Sequence, residues 1–322
     1  MSDPEKILVI KLGALGDFVQ ALGPMAAIRA HHPDADITLL TTEPYVSFGT
    51  ACGYFNHVWT DTRPRFHNPA GWLSLRKRLN DAKFDRVYDL QNSDRTGLYF
   101  KLLRPKPEWV GIAKGASHRN ISPERTAGPA FDGHIQTLGL AGIRNITIDK
   151  MDWVQNDIAR FKLRPPYVLL VPGSAPGRPE KRWPAHYFGI LARTLYGWGY
   201  TPVVIGTLAE AKEAEQICAM TPQAVNLTRQ TALFDIVGLA RHAAAAIGND
   251  TGPMHLIAPT GCPSYVLFSK YSTPSRHAPC GDKVQTISHQ DELEKLSPEE
   301  VIEYLHVRDF RAPNQDSGDS GV

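Results

Sequence analysis

Three short stretches of this 322-residue chain carry side chains suited to chemistry on phosphorylated molecules. In the first, Leu12-Gly13-Ala14-Leu15-Gly16-Asp17, glycines let the backbone turn sharply after an apolar run and deliver the carboxylate of Asp17. That carboxylate could take a proton from a hydroxyl or cap the following helix, and the two roles are compatible. The second, Pro172-Gly173-Ser174-Ala175-Pro176-Gly177-Arg178-Pro179-Glu180-Lys181-Arg182-Trp183-Pro184, is rich in residues that permit close backbone approach. Its cations Arg178, Lys181 and Arg182 suit a diphosphate, a flexible charged loop being the plainer reading. The third is Gly248-Asn249-Asp250-Thr251-Gly252-Pro253-Met254-His255, with Asp250 or Thr251 as a helix N-cap and Pro253 in the first turn. A helix start bearing a glycine presents backbone N–H groups to a phosphate. Asp-Thr-Gly alone would read as an ordinary capped turn.

Each stretch follows an apolar run that reads as a buried strand: Lys6–Lys11, Tyr167–Val171 and Ala243–Ile247. Further strands are expected at Ile37–Thr41, His57–Thr60, Arg86–Leu90, Trp109–Ile112, Pro202–Ile205 and Ser264–Phe268. Helices are expected from the Asp17 turn to about His31, and at Pro44–Cys52, Trp72–Asp81, Thr96–Leu103, Asp132–Ala141, Trp153–Leu163, Thr231–His242 and Ser297–His306. This alternation predicts parallel sheets, whose ligands gather at the carboxyl ends of the strands. By that rule Gln91 follows one strand end, and Glu210 sits beyond another, where an acid takes ribose hydroxyls or complements a helix dipole; Glu213 is close by. Arg63 and Arg65 lie in the loop Asp61–Asn68, either solvated or facing an anionic acceptor, whereas Arg76, Lys77 and Arg78 read as a solvated helix face. Asp34-Ala35-Asp36 precedes a strand and reads as a turn, not a metal site. Gly13-x-x-Gly16 lacks the third glycine of a dinucleotide fingerprint, and no Gly-Lys-Ser/Thr marks a P-loop.

The string GNDTGPMHLIA (Gly248–Ala258), followed by Gly261-Cys262-Pro263 and an apolar strand, closely resembles the donor-site signature of the ADP-heptose:lipopolysaccharide heptosyltransferases, glycosyltransferase family nine. The resemblance implies an inverting, metal-independent transferase of α/β class with the GT-B fold, two Rossmann-like parallel-sheet domains facing a central cleft. Its implied division is an acceptor-binding domain over 1–160, a nucleotide-sugar domain over 161–308 and a polar, disordered tail over 309–322, with Leu163–Pro166 as the linker. In the family's Leu-Gly-Asp motif the Asp is the general base, which points to Asp17, with Gly16 beside it. Lys181-Arg182-Trp183-Pro184 matches the family's Lys-x-Trp-Pro, whose Lys contacts phosphate. Ser174 aligns with its loop hydroxyls and Glu210 with its ribose-binding Glu, while Asp250, Thr251, Gly252 and His255 fall in the donor signature. Asp89-Leu90-Gln91 matches an Asp-x-Gln that makes Gln91, with Arg63, an acceptor-side candidate. Ser269–Arg276 departs from the family's Gly-Pro-Thr, so sugar and acceptor specificity do not transfer. The implied partners are an ADP-sugar and a lipopolysaccharide-type or other glycan acceptor, met by a monomer without cofactor or metal. Alternatives are a single doubly wound sheet for the fold and, for function, another nucleotide sugar, a nucleotide-sugar epimerase or a non-catalytic binder.

Composition agrees with an ordinary globular protein, 42% hydrophobic and 21% charged. A net charge of +2 without a long basic run argues against nucleic acid. Cys52, Cys218, Cys262 and Cys280 form no C-x-x-C pair, which fits a reducing cytoplasm better than zinc or disulfides. The start MSDPEKILVIK lacks the features of a signal peptide, and no apolar run approaches the ~20 residues of a membrane span, so membrane contact is expected only at the surface.

Overall fold

The first strand, β1 (Lys6–Ile10), is buried from its second residue onward, as a strand of a parallel sheet covered on both faces must be. The computed structural model describes residues 3–175 and 177–307; the tail expected over 309–322 lies outside the described residues. The chain divides after Trp153 into two units.

In the first unit, β1 is followed by β2 (Asp36–Thr41), β3 (His57–Thr60), β4 (Arg86–Asp89), β5 (Glu108–Gly111) and β6 (His118–Arg119), in the sheet order β3-β2-β1-β4-β5-β6. In the second, β7 (Tyr167–Val171), β8 (Thr201–Val204), β9 (Val225–Asn226), β10 (Ala245–Asn249), β11 (Ser264–Phe268) and β12 (Val284–Ser288) take the order β12-β11-β10-β7-β8-β9. Every pairing is parallel. The two sheets share one topology, that of the doubly wound nucleotide-binding fold, so the expectation of two Rossmann-like units is met and a single large sheet is not. The strand order reverses between β1 and β4, and again between β7 and β10. Ligands of such sheets bind outside the strand ends at that reversal.

Each reversal is built on a packed core. Leu8, Ile10, Val87, Tyr99, Phe100 and Trp109 are buried in the first unit; Val168, Leu170, Trp183, Phe188, Leu191 and Ile247 are buried in the second. After β1 the chain passes through Gly13, whose φ of +117 would strain any other residue and whose missing side chain leaves room for the Tyr45 ring, 2.9 Å from the position of a Cβ. The helix Leu15–His31 then begins, with Asp17 in its first turn.

Element ends differ from the sequence expectation by one or two residues at most sites, and one element differs in kind. Trp153–Leu163 is not helical: it holds only a 3-10 turn at Ala159–Phe161, closed by Lys162 in the left-handed region. Its spacing of apolar residues is satisfied by packing onto the helix Leu233–His242, where Ile158 lies against Gly238. Its polar groups are taken by the same helix: Asn156 and Arg160 donate to the buried Asp235, and Arg241 donates to the Val154 carbonyl. These bonds compete with helical ones and hold the segment in its irregular course.

Candidate active site

At the second reversal, the expected donor residues converge. Trp183 organises the loop. Its indole is buried, its Nε1 donates to the Leu296 carbonyl at 2.8 Å, and its backbone N–H donates to Asn249 Oδ1 at 3.0 Å. Asn249 ends β10 fully buried, and its amide nitrogen donates to the carbonyls of Pro172 at 2.7 Å and Gly173 at 3.3 Å. One side chain thus ties the end of β10 to both ends of the Pro172–Trp183 loop. With that loop anchored, the Lys181 ammonium donates to Asp250 Oδ2 at 2.8 Å, and the Ser272 hydroxyl donates to the same oxygen at 2.6 Å. The Lys181 and Asp250 side chains are 13% and 10% exposed, so the pair is only thinly screened by water. Thr251, next in sequence, is the cap residue of the helix Gly252–Ile257 and makes no side-chain cap bond.

Asn249→Ala would leave the Trp183 N–H and the Pro172 and Gly173 carbonyls without their partner. Unsatisfied buried groups cost about 1–3 kcal/mol each, so a loss on the order of 3 kcal/mol is expected in urea unfolding. ADP affinity should fall with it, because the loop carrying Lys181 is released.

Around this pair the other donor candidates are more occupied than sequence suggested. Ser174 uses its hydroxyl within the loop, donating to the Arg178 carbonyl at 2.9 Å and accepting from Arg182 Nε at 3.1 Å. Arg182 reaches on to Glu213 at 2.9 Å and toward Glu210 at 3.8 Å. Glu210 serves as a helix-start residue, accepting from the Thr207 N–H at 2.8 Å and the Thr207 hydroxyl at 2.7 Å through Oε2. Its Oε1 is the oxygen that faces Arg182. Gly173 leaves room beside it, since a Cβ there would lie 3.0 Å from the Glu210 side chain. His255 lies on the inner side of its short helix, 8% exposed.

The first reversal gathers the candidates of the first unit. The cap position of the helix Leu15–His31 is Ala14, so Asp17 does not cap it; it stands exposed in the first turn, with Gly16 beside it. Gln91, after β4, fixes the turn by accepting from the Leu12 N–H at 2.8 Å. The Leu12 carbonyl accepts from Thr42 at 3.2 Å and from Arg63 at 3.5 Å. Gln91 and Arg63 therefore hold the loop that carries Asp17.

Beneath this loop, two side chains that sequence reading did not single out for a role are buried. Lys11 is 3% exposed and donates to the Leu90 carbonyl at 3.1 Å; Asp89 is 1% exposed and accepts from the N–H groups of Gln91 and Asn92. Burial lowers the Lys11 pKa, opposed by the charges of Asp17 and Asp89. Burial pushes the Asp89 carboxyl up from 3.8 to about 6, opposed by its hydrogen bonds and by Lys11. Because its folded pKa lies above the unfolded one, ionising Asp89 destabilises the fold. Its contribution is favourable below the folded pKa and declines as pH rises from about 4 through 6, by on the order of 3 kcal/mol. Unfolding midpoints in urea across that range should show this slope, and Asp89→Asn should flatten it.

Among the described residues, no group of three or more His, Cys, Asp or Glu is arranged to hold a metal ion, and no helix is long and apolar enough to cross a membrane. The Asp34-Ala35-Asp36 stretch turns into β2, where Asp36 pairs with His57 at 3.2 Å.

Known proteins share this fold. The profile described as "Glycosyltransferase family 9 (heptosyltransferase)" matches residues 145–305, half of the chain. Lipopolysaccharide heptosyltransferase 2 of Escherichia coli is 24% identical over 349 residues, covering 94% of this chain and 98% of that protein. A family 9 glycosyl transferase structure from Veillonella parvula superimposes with a TM-score of 0.79 at 20% identity, covering 95% of this chain and 97% of that one. E. coli heptosyltransferase WaaC, solved with ADP-2-deoxy-2-fluoro heptose, gives 0.72 at 15% identity, covering 94% and 99%.

Proposed function

Since the chain belongs to glycosyltransferase family 9, the family of the heptosyltransferases, we propose that it transfers heptose from an ADP-linked donor to a lipopolysaccharide core acceptor, with inversion and without a metal. The observation that carries this reading is the Lys181–Asp250 pair at the reversal between β7 and β10. An ammonium has three donor hydrogens, so Lys181 can keep Asp250 and still donate to a diphosphate. In this reading Lys181, with the backbone at Thr251 and Gly252, offsets the negative charge that grows on the departing ADP. Glu210 Oε1 takes a ribose hydroxyl, Ser174 shapes the loop, and Asp250 and His255 border the sugar. The relative solved with an ADP-heptose analogue supports this choice of nucleotide and sugar.

Asp17 is the proposed base. It removes the proton from the acceptor hydroxyl as that oxygen attacks the anomeric carbon from the face opposite ADP. The C–O bond to the diphosphate breaks as the new C–O bond forms, so a single displacement inverts the configuration. The proposal puts the reaction in the cytoplasm, where Cys52, Cys218, Cys262 and Cys280 stay as the free thiols observed, and takes the acting species to be a monomer.

Calorimetry with ADP, GDP, UDP and CDP, each with magnesium and with chelator, tests the donor assignment. Tight ADP binding that ignores magnesium is the expected result. Preference for UDP or GDP would move the substrate to another nucleotide sugar, and absence of binding to all four would overturn the donor site.

A further inference from the structure

The segment from Thr62 to Asn80 contains five cationic side chains, Arg63, Arg65, Arg76, Lys77 and Arg78, and no carboxylate. It forms a loop and the helix Pro69–Asp81, whose Leu75 and Leu79 are buried while Leu73 on the helix is 63% exposed. Phe66, in the loop, is 83% exposed. This ring is held outward. It stacks on Trp72 at 6.4 Å between centroids, and Trp72 Nε1 donates to the Arg65 carbonyl at 3.1 Å. Asn68 fixes the helix start by accepting from the Gly71 N–H at 2.9 Å. The acids flanking the segment are already engaged: Asp61 is buried and accepts from the Tyr99 hydroxyl, and Asp81 pairs with Lys77. Two of the cations are also engaged, Arg63 at the Leu12 carbonyl and Arg78 over the Trp59 ring at 4.1 Å. Arg65 and Arg76 are exposed, and the Lys77 side chain is 77% exposed even with its partner.

We propose that this loop and helix form a docking surface for an anionic lipid bilayer, with Phe66 and Leu73 entering the interface and Arg65, Arg76 and Lys77 meeting headgroups. Exposed apolar side chains between basic ones, with the nearest exposed acid, Asp81, already paired to Lys77, are what such an interface selects. A second copy docked through the same face would set like charges against like charges, since a two-fold contact pairs a surface with itself. The bilayer is therefore the occupant that charge favours. This surface does not depend on Asp17 being the base or on the identity of the donor.

Co-sedimentation of the full chain with phosphatidylcholine vesicles, and with phosphatidylcholine vesicles containing phosphatidylglycerol, tests the proposal. The chain is expected to pellet with the anionic vesicles only, and less at high salt. F66S/L73S and R76E/K77E should each weaken binding roughly tenfold or more. Their circular dichroism spectra and ADP affinity should match the parent, which separates failure here from failure of the donor assignment. The proposal is overturned if the parent stays in the supernatant, if it pellets equally with neutral vesicles, or if both variants bind like the parent. Self-association that F66S/L73S abolishes, without vesicle binding, would assign the face to a second copy instead.

Discussion

Asp17→Asn is expected to abolish sugar transfer while leaving ADP affinity within a few-fold of the parent. The two readouts separate because Asp17 belongs to the first unit, whereas the proposed diphosphate contacts belong to the second. A positioned base contributes roughly 10²–10⁴ to rate, so single-turnover ADP release should fall by that factor. Asn keeps the shape of the side chain and the exposed position in the first turn of the helix Leu15–His31, so the loss reports on proton transfer. The turn itself is held by Gln91 and Thr42, not by Asp17, and unfolding in urea should be almost unchanged. Wild-type turnover in Asp17→Asn would remove the base assignment.

Lys181→Ala should weaken ADP binding by roughly 10–100-fold, from the loss of a charge-assisted hydrogen bond. Its effect has two parts. The cation that meets the diphosphate is gone, and Asp250, only 10% exposed, is left with the Ser272 hydroxyl and an uncompensated negative charge where the diphosphate would arrive. Pairing the change with Asp250→Asn removes the repulsion, so the double variant should recover part of the affinity lost by Lys181→Ala. Lys181→Arg keeps the charge but replaces a compact ammonium with a planar fork, and should bind ADP with intermediate affinity. Equal ADP affinity in Lys181→Ala and the parent would exclude Lys181 as a phosphate contact.

The parallel architecture was legible because apolar runs such as Lys6–Ile10 and Tyr167–Val171 are long, nearly unbroken and followed by glycine-bearing turns. Local pattern failed at Trp153–Leu163, where helical spacing serves packing against another helix and side chains of Asn156 and Arg160 reach a buried Asp235 far along the chain. In the site, Lys181 and Asp250 each stood out as charged residues in a glycine-rich loop, but their pairing is a tertiary fact. Asn249 was less conspicuous beside Asp250, although a polar residue at the end of a buried strand was the available signal. Ser174 and Glu210 looked like ligand contacts because hydroxyls and acids near strand ends often are. Their hydrogen bonds to Arg178 and Thr207 show how much of that polarity closes the protein's own loops. Lys11 could be read from sequence only as the last residue of an apolar strand; its bond to the Leu90 carbonyl follows from the adjacency of β1 and β4. Ser272 lies in the loop that departs from the family pattern, yet it reaches the same Asp250 oxygen as Lys181.

The most direct test is ADP release from ADP-heptose in the presence of lipopolysaccharide core lacking heptose, with chelator present throughout. The proposal predicts ADP release that requires the acceptor, matches the heptose incorporated, and disappears in Asp17→Asn. Tight binding of ADP-heptose with no ADP released for any core acceptor would contradict it and leave a nucleotide-sugar binder in place of a transferase.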